Sequence, residues 1–160
     1  MLIGVMADSH DNVPKIEAAV SLFNQSRVQH VLHAGDFVAP FAIDPLRGLE
    51  CPVLSVFGNN DGERLGLAAR IREIGVVHPY LATATLAERQ IAVVHYPELA
   101  ESLARSGAYD LVVYGHTHRV DQSQDNGLLL NPGEAGGWLT GCSTVAVVDL
   151  ATLEVHLHEI

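Results

Sequence analysis

Five short stretches of this chain carry side chains able to bind a metal ion or move a proton: Asp8-Ser9-His10, Asp36, Asn59-Asn60-Asp61, His95, and His116-Thr117-His118. Taken singly, each has an ordinary explanation. Aspartate or asparagine after a strand commonly makes a turn or caps a helix, because its short side chain bonds nearby backbone amides. The spacing argues for more. Residues i and i+2 of an extended segment point the same way, so Asp8 with His10, and His116 with His118, are each expected to present two ligand heads to one crevice. Asp8, His10, Asp36, Asn59, His95, His116 and His118 together offer seven oxygen and nitrogen donors. That is more than one zinc-type site uses, and it suits two divalent ions sharing a carboxylate. Metal pairs of this kind, ~3.5–4 Å apart, hold the attacking and leaving oxygens of an in-line displacement at phosphorus. Two divalent ions bring four positive charges against the two negative ones of Asp8 and Asp36, which predicts a positive pocket that draws in an anionic substrate.

Other chemistries find little support. No G-x-S-x-G or Walker sequence occurs, and Ser9, set between two ligand types, reads as a turn residue rather than a nucleophile. Water made acidic by a metal is the better nucleophile. Cys51 and Cys142 lie far apart with no C-x-x-C spacing, so they offer no thiolate site and fit a reducing compartment.

The elements that must position these residues are apolar runs. LIGVMA (2–7) leads into Asp8, VQHVLHAG (28–35) into Asp36, PVLSVFG (52–58) into Asn59, RQIAVV into His95, and DLVVYG (110–115) into His116. Between the first three lie a helix with Val13, Ile16, Val20 and Phe23 on one face and a short helix in PFAIDPLRGL, an alternation that predicts βαβ units and a parallel sheet. A weak helix near 63–74, a hairpin around Ala-Glu-Arg (87–89), a helix in PELAESLARSG ended by Gly107, and meander strands after residue 119 complete the chain. Two packed sheets with helices outside accommodate that many strands. Ligands in open α/β sheets bind at the carboxyl ends of strands, which is where all five polar stretches fall.

Composition bounds the rest. At 160 residues, 48% hydrophobic and 18% charged, the chain reads as one domain over residues 1–160 with its own core rather than as a disordered segment. A net charge of −10 argues against general nucleic-acid binding and against a basic membrane-surface module. No apolar run approaches the ~20 residues of a membrane span. The N-terminus has no positive region and meets Asp8 early, so no secretory signal is expected and cytoplasmic residence is the expectation.

The ordered set D-x-H (8–10), G-D (35–36), G-N-x-D (58–61), His95 after a strand and G-H-T-H (115–118) resembles the calcineurin-like metallophosphoesterases, specifically the small YfcE-like phosphodiesterase branch, with N-P-G at 131–133 as a further shared segment. The resemblance implies an α/β fold, a four-layer α/β/β/α sandwich of two mixed sheets flanked by helices. It also implies two divalent metal ions, manganese first, with iron, nickel or zinc suited to the same donors. Asp8, His10 and His118 would hold one ion, Asn59, His95 and His116 the other, and Asp36 would bridge them. The implied activity is hydrolysis of a small phosphate ester, most readily a diester, by a hydroxide held between the metals. Asp36, Asn59 and Asp61 are then the catalytic candidates, Asp61 by orienting ligands, and Asn60 and Asn12 the substrate-binding ones.

Three departures matter. Asn60 stands where many relatives have a histidine that protonates the leaving group. His95-Tyr96-Pro97 replaces H-G-H, and Asp11 stands where glycine is common, either starting the helix or adding negative charge at the pocket rim. The alternative reading is a non-catalytic metal-binding scaffold of the same fold, as one subunit of the retromer sorting coat resembles this family. A homo-oligomer stays open on sequence grounds.

Overall fold

A computed structural model describes residues 1–160. Strands β1 (Leu2–Met6), β2 (Val31–His33), β3 (Val53–Val56) and β4 (Gly75–His78) run parallel, and β10 (Thr144–Asp149) and β11 (Glu154–Glu159) add antiparallel on the other side of β1, giving the order β11-β10-β1-β2-β3-β4. A second sheet has the order β5-β6-β7-β9-β8. In it β6 (Arg89–Val94), β7 (Leu111–Val113) and β9 (Leu128–Pro132) are parallel, and β5 (Leu81–Leu86) and β8 (Val120–Gln124) pair antiparallel at the edges.

Three apolar layers hold the stack together. Ile3, Val5, Leu32 and Val56 of the first sheet meet Ile91, Val93, Leu111 and Leu130 of the second. On the outer side of the first sheet, Met6, Val31 and Val53 pack under helices α1 (Val13–Gln25) and α2 (Arg64–Ile71). On the outer side of the second, Ala92, Val94 and Val112 pack under α3 (Pro97–Ser106). The arrangement is helix, sheet, sheet, helix. Alternate residues of β1 and β6 thus enter different cores, which is why these strands read as unbroken apolar runs rather than as polar–apolar alternation.

Helix α1 buries Ile16, Ala19, Val20 and Phe23, the i, i+3, i+4, i+7 face of an amphipathic helix, with Pro14 in its first turn. The Phe23 ring crosses β1 at Gly4, where a Cβ would stand 2.7 Å from it. The β5–β6 turn uses Ala87 and Glu88 at φ 48° and 66°, and Gly107 ends α3 in the left-handed region at φ 69°.

Three elements differ from the sequence expectation. Segment 40–48 forms two 3₁₀ turns, Pro40–Ile43 and Pro45–Gly48, instead of one helix. Pro45 has no N–H to donate, and its ring clashes with the carbonyl of residue 41 in an α-helix. Strand β2 is confined to Val31–His33, and β4, which pairs with β3 along its whole length, falls in a stretch where no strand is expected. No helix is long and apolar enough to cross a membrane.

Truncating the ring that seats α1 on β1 should leave a cavity: Phe23→Ala is expected to lower the unfolding free energy by ~3–5 kcal/mol in urea denaturation. A loss below about 1 kcal/mol contradicts the packing described.

Candidate metal centre

Parallel pairing carries β1, β2 and β3 to one edge of the first sheet, and β6, β7 and β9 to one edge of the second. The loops leaving these ends meet. Asp8 and Asp36 are buried there, and His10 Nε2 stands 3.9 Å from Asp8 Oδ1 and 3.6 Å from Asp36 Oδ2. His95 Nε2 lies 3.6 Å from the same Asp36 oxygen, and His118 Nε2 lies 3.8 Å from Asp8 Oδ1. Two sets of ligand atoms, Asp8-His10-His118 and Asp8-Asp36-His95, each fall within 4.8 Å of one another. That spacing fits donors ~2.0–2.2 Å from a shared ion. Asn59 Oδ1 sits 2.9 Å from His95 Nε2 and 2.8 Å from His116 Nδ1. All seven predicted ligands are therefore brought to one crevice.

The convergence is not achieved as the i, i+2 argument supposes. Asp8, His10, Asp36, His116 and His118 have φ of 52°, 41°, 60°, 70° and 60°. These segments are left-handed turns, not extended chain, and they fold the side chains inward at a local backbone cost of roughly 1–2 kcal/mol each. Loop 8–11 is held in that shape by bonds from Asp8, His10 and Asp11 amides to the carbonyls of Gly35, Asp36 and Phe37, and from the Gly136 amide to Asp8 O.

The donor chemistry asks for a cation. Burial lowers the His10 and His95 imidazoles below the usual range, so both are neutral near pH 7. His95 Nδ1 lies 2.7 Å from the Ala34 carbonyl, which can only accept, so the proton is on Nδ1. Nε2 then turns a lone pair toward Asn59 Oδ1, another acceptor, and two acceptors at that separation repel unless a positive centre lies between them. His10 Nε2 is buried without a hydrogen-bond partner. The Asp8 carboxyl is pushed up to about 8, first by burial and then by the Asp36 charge. Neutral nitrogens and crowded carboxylates suit a divalent metal.

Around this cluster lie residues that set its shape. Asp61, expected to act by orienting ligands, accepts bonds from the Asp36, Val38 and Gly58 amides at 3.0, 2.8 and 2.7 Å. Its oxygens face backbone rather than the crevice, so it is a positioning residue. Asn12, expected to bind substrate, instead donates from Nδ2 to Gly136 O at 2.7 Å and ties the first loop to the glycine-rich one. Asp11 does not cap α1; its carboxylate accepts from the Ala39 amide at 2.9 Å and lines the cavity. Asn60 also lines the cavity, with its amide Nδ2 2.7 Å from Asp36 Oδ2. Tyr96 packs edge-on against His95 and His116, and Pro97 begins α3. Gly58 has no room for a side chain, since a Cβ there would stand 2.1 Å from Asp36 Oδ1.

Sequence reasoning missed Glu134. This buried carboxylate lies 3.2 Å from His118 Nδ1 and accepts bonds from the amides of Trp138, Leu139 and Thr140. Burial pushes its acid up, but the Thr140 and Leu139 amides outweigh that, and it titrates below the ordinary range. Its place follows from the sheet: β9 runs parallel to β7, so the segment after it reaches the same end as the other ligand loops, where the sequence pattern suggested a meander. Ser9, read as a turn residue, also has a side-chain partner in His33. Buried His33 packs on Phe37, accepts from the Gly35 amide and meets Ser9 Oγ at 3.2 Å through Nε2, its imidazole pushed down to about 3 by burial.

Residues 1–153 match the calcineurin-like phosphoesterase superfamily domain. The chain belongs to that superfamily. It is 37% identical over 155 residues to phosphodiesterase MJ0936 of Methanocaldococcus jannaschii, covering 93% of each chain. An archaeal phosphodiesterase of known structure superposes with a TM-score of 0.94 at 34% identity over the full length of both chains. YfcE, a phosphoesterase from E. coli, superposes with a TM-score of 0.68 at 19% identity, covering all of this chain and 98% of that one, a likeness of fold.

Asp61→Ala strips the acceptor from three backbone N–H groups and is expected to cost at least ~2 kcal/mol in chemical denaturation. Asp61→Asn, which keeps one acceptor oxygen, should lose less; equal stability of all three proteins would contradict the positioning role.

Proposed function

We propose that this protein is a metal-dependent phosphodiesterase with two divalent ions, one held by Asp8, His10 and His118 and the other by Asn59, His95 and His116, with Asp36 shared between them. The observation that carries the reading is the set of neutral imidazole nitrogens, His10 Nε2 without a partner and His95 Nε2 facing an acceptor oxygen, gathered around two buried carboxylates. A scaffold kept only as an assembly surface has no use for them. When bound, the ions supply positive charge for the phosphoryl oxygens and an acidified water as nucleophile.

The chain's own groups define the rest. Ala34 O holds the His95 tautomer, and Glu134 faces His118 Nδ1, so each ring turns Nε2 to the crevice. Asn60 borders the phosphoryl position and can donate hydrogen bonds from Nδ2, but an amide delivers no proton to a leaving group. The charge balance favours a diester. Beyond Asp8 and Asp36, the buried Asp61 and Glu134 also act on this cluster, so four carboxylates offset two divalent ions and the pocket is less positive than the sequence suggested. Asp11 adds negative charge at the cavity wall. A singly charged diester meets less repulsion there than a doubly charged monoester.

Elemental analysis and hydrolysis of bis(p-nitrophenyl) phosphate with added manganese test the reading. The intact chain should bind metal and turn over, while Asp36→Asn should lose ~10²-fold or more in kcat/KM, within the range lost when a transition-state contact is removed. Absence of both metal and metal-dependent turnover sinks the enzyme reading, and equal activity in the variant sinks the shared role of Asp36.

With no side chain to protonate the leaving group, aryl diesters should react at least ~10²-fold faster than alkyl diesters, and the rate should fall steadily as the leaving-group pKa rises. A flat dependence across such a series would show that some other group supplies the proton.

A further inference from the structure

One wall of the site cavity takes no part in the chemistry above. The cavity, about 430 Å³, has His10, His118 and Asn60 on its polar side and Val38, Trp138 and Leu139 on its apolar side. Trp138 is 65% exposed and Leu139 78%, so two large apolar side chains stand in water beside a ligand cluster. Exposed apolar surface grouped at a cavity marks a binding surface more often than isolated exposure does.

The indole is held in place. Its Nε1 donates to the His10 carbonyl at 3.0 Å, and its backbone amide donates to Glu134 Oε1 at 2.8 Å. The first bond fixes the ring against the backbone of a proposed metal ligand, and the second hangs it from a carboxylate 3.2 Å from another, His118. Because the N–H lies in the ring plane, the bond occupies an edge and leaves the π-face free. The second bond would form with any residue at this position, but the first is the indole's own, and a tryptophan that merely tolerates solvent does not need it. A flat, rigid, pre-ordered π-surface at a fixed place relative to the phosphoryl position suits a planar ring, which can stack on it with little loss of entropy.

We infer that Trp138 is a stacking platform for an aromatic ring carried by one ester group of the phosphodiester, an aryl ring or a nucleobase, with Val38 and Leu139 lining the same wall. The inference rests on the phosphodiesterase reading and narrows its substrates to diesters with a planar aromatic arm.

Trp138 is the only tryptophan in the chain, so tryptophan emission excited beyond the tyrosine absorption reports from this position alone. In the presence of manganese, phenylphosphonate, a nucleoside 5′-monophosphate and methylphosphonate present comparable phosphoryl heads with different arms. An aromatic arm should change the tryptophan emission where the methyl arm does not, and by calorimetry should bind about tenfold tighter. Trp138→Leu should reduce that preference to about twofold or less, and Trp138→Phe should keep most of it. A gain with phenylphosphonate alone identifies an aryl ring as the occupant, and a gain with the nucleotide alone identifies a nucleobase. Equal binding and equal emission change for the aromatic and methyl arms overturn the inference, as does a preference that survives Trp138→Leu. The wild-type titrations decide the matter even if the leucine variant does not fold. Hydrolysis of bis(p-nitrophenyl) phosphate separates the two readings. Aromatic preference without turnover fails the phosphodiesterase reading alone, and turnover without aromatic preference fails the platform alone.

Discussion

Two carboxylates, Asp8 and Asp36, are buried side by side where the edges of two sheets meet, and much of the molecule is arranged around that fact. Taking two like charges out of water is costly, and burial together with the Asp36 charge accordingly raises the Asp8 acid. The protein offsets the cost in part with backbone donors. The His116 amide bonds both Asp8 oxygens at 3.2 and 3.0 Å, and the Asn60 amide bonds Asp36 Oδ1 at 2.8 Å. These donors come from loops after β7 and β3, on different sheets, so the site exists only when the sheets are packed. Bound cations would neutralise the remaining negative charge, and folding and any metal binding would then be coupled through the same atoms.

That constraint explains the distribution of strain and of apolar burial. A loop that must turn a carboxylate and an imidazole inward within three residues cannot stay extended, and five ligand candidates sit at positive φ. Such geometry persists only where the surroundings over-determine it. Here the surroundings are two hydrophobic layers that fix the strand ends, the buried His33–Ser9 contact behind the first loop, and Asp61, whose single carboxylate collects amides from two separate loops. Glycine at positions 58 and 115 lets the backbone approach the carboxylates, since a Cβ at either would lie 2.1 Å or 2.8 Å from a carboxylate oxygen. Strain at the ligands and rigidity beneath them are two sides of one design.

How legible this was follows from the range of each interaction. The strand ends could be read directly, because a buried strand is a local apolar run and its last residue is the first polar one; Asp8, Asp36, Asn59, His95 and His116 were all visible that way. Features set by pairing between distant segments were not. Edge strand β4 contains no fully buried residue and exists through its register with β3. The carboxylate of Asp11 reaches across to residue 39 and the amide of Asn12 to residue 136, where local patterning suggested a helix start and the family resemblance a substrate contact. Glu134 lay hidden for the same reason: its partners are a histidine on another loop and the amides of its own glycine-rich turn, neither of which leaves a periodic trace. The i, i+2 spacing pointed to residues that do converge, but through the wrong conformation, since a left-handed turn can also bring such side chains into one crevice.

Glu134 also shows how one site can be rigid in its chemistry and adjustable in its selectivity. One carboxylate oxygen faces His118, while the pair of oxygens gathers the amides of residues 138–140 and the Thr140 hydroxyl. These are bonds to backbone and to one hydroxyl, so the loop's path does not depend on which side chains stand at 138 and 139. Leu139 can then change without moving the imidazole, whereas Trp138 also reaches the His10 carbonyl through its own Nε1. The opposite holds for Asp36 and Asp61, whose partners are the ligand loops themselves. Within this turn, variation that leaves the candidate ligand cluster undisturbed is therefore confined to the side chain that makes no bond to it, that of Leu139.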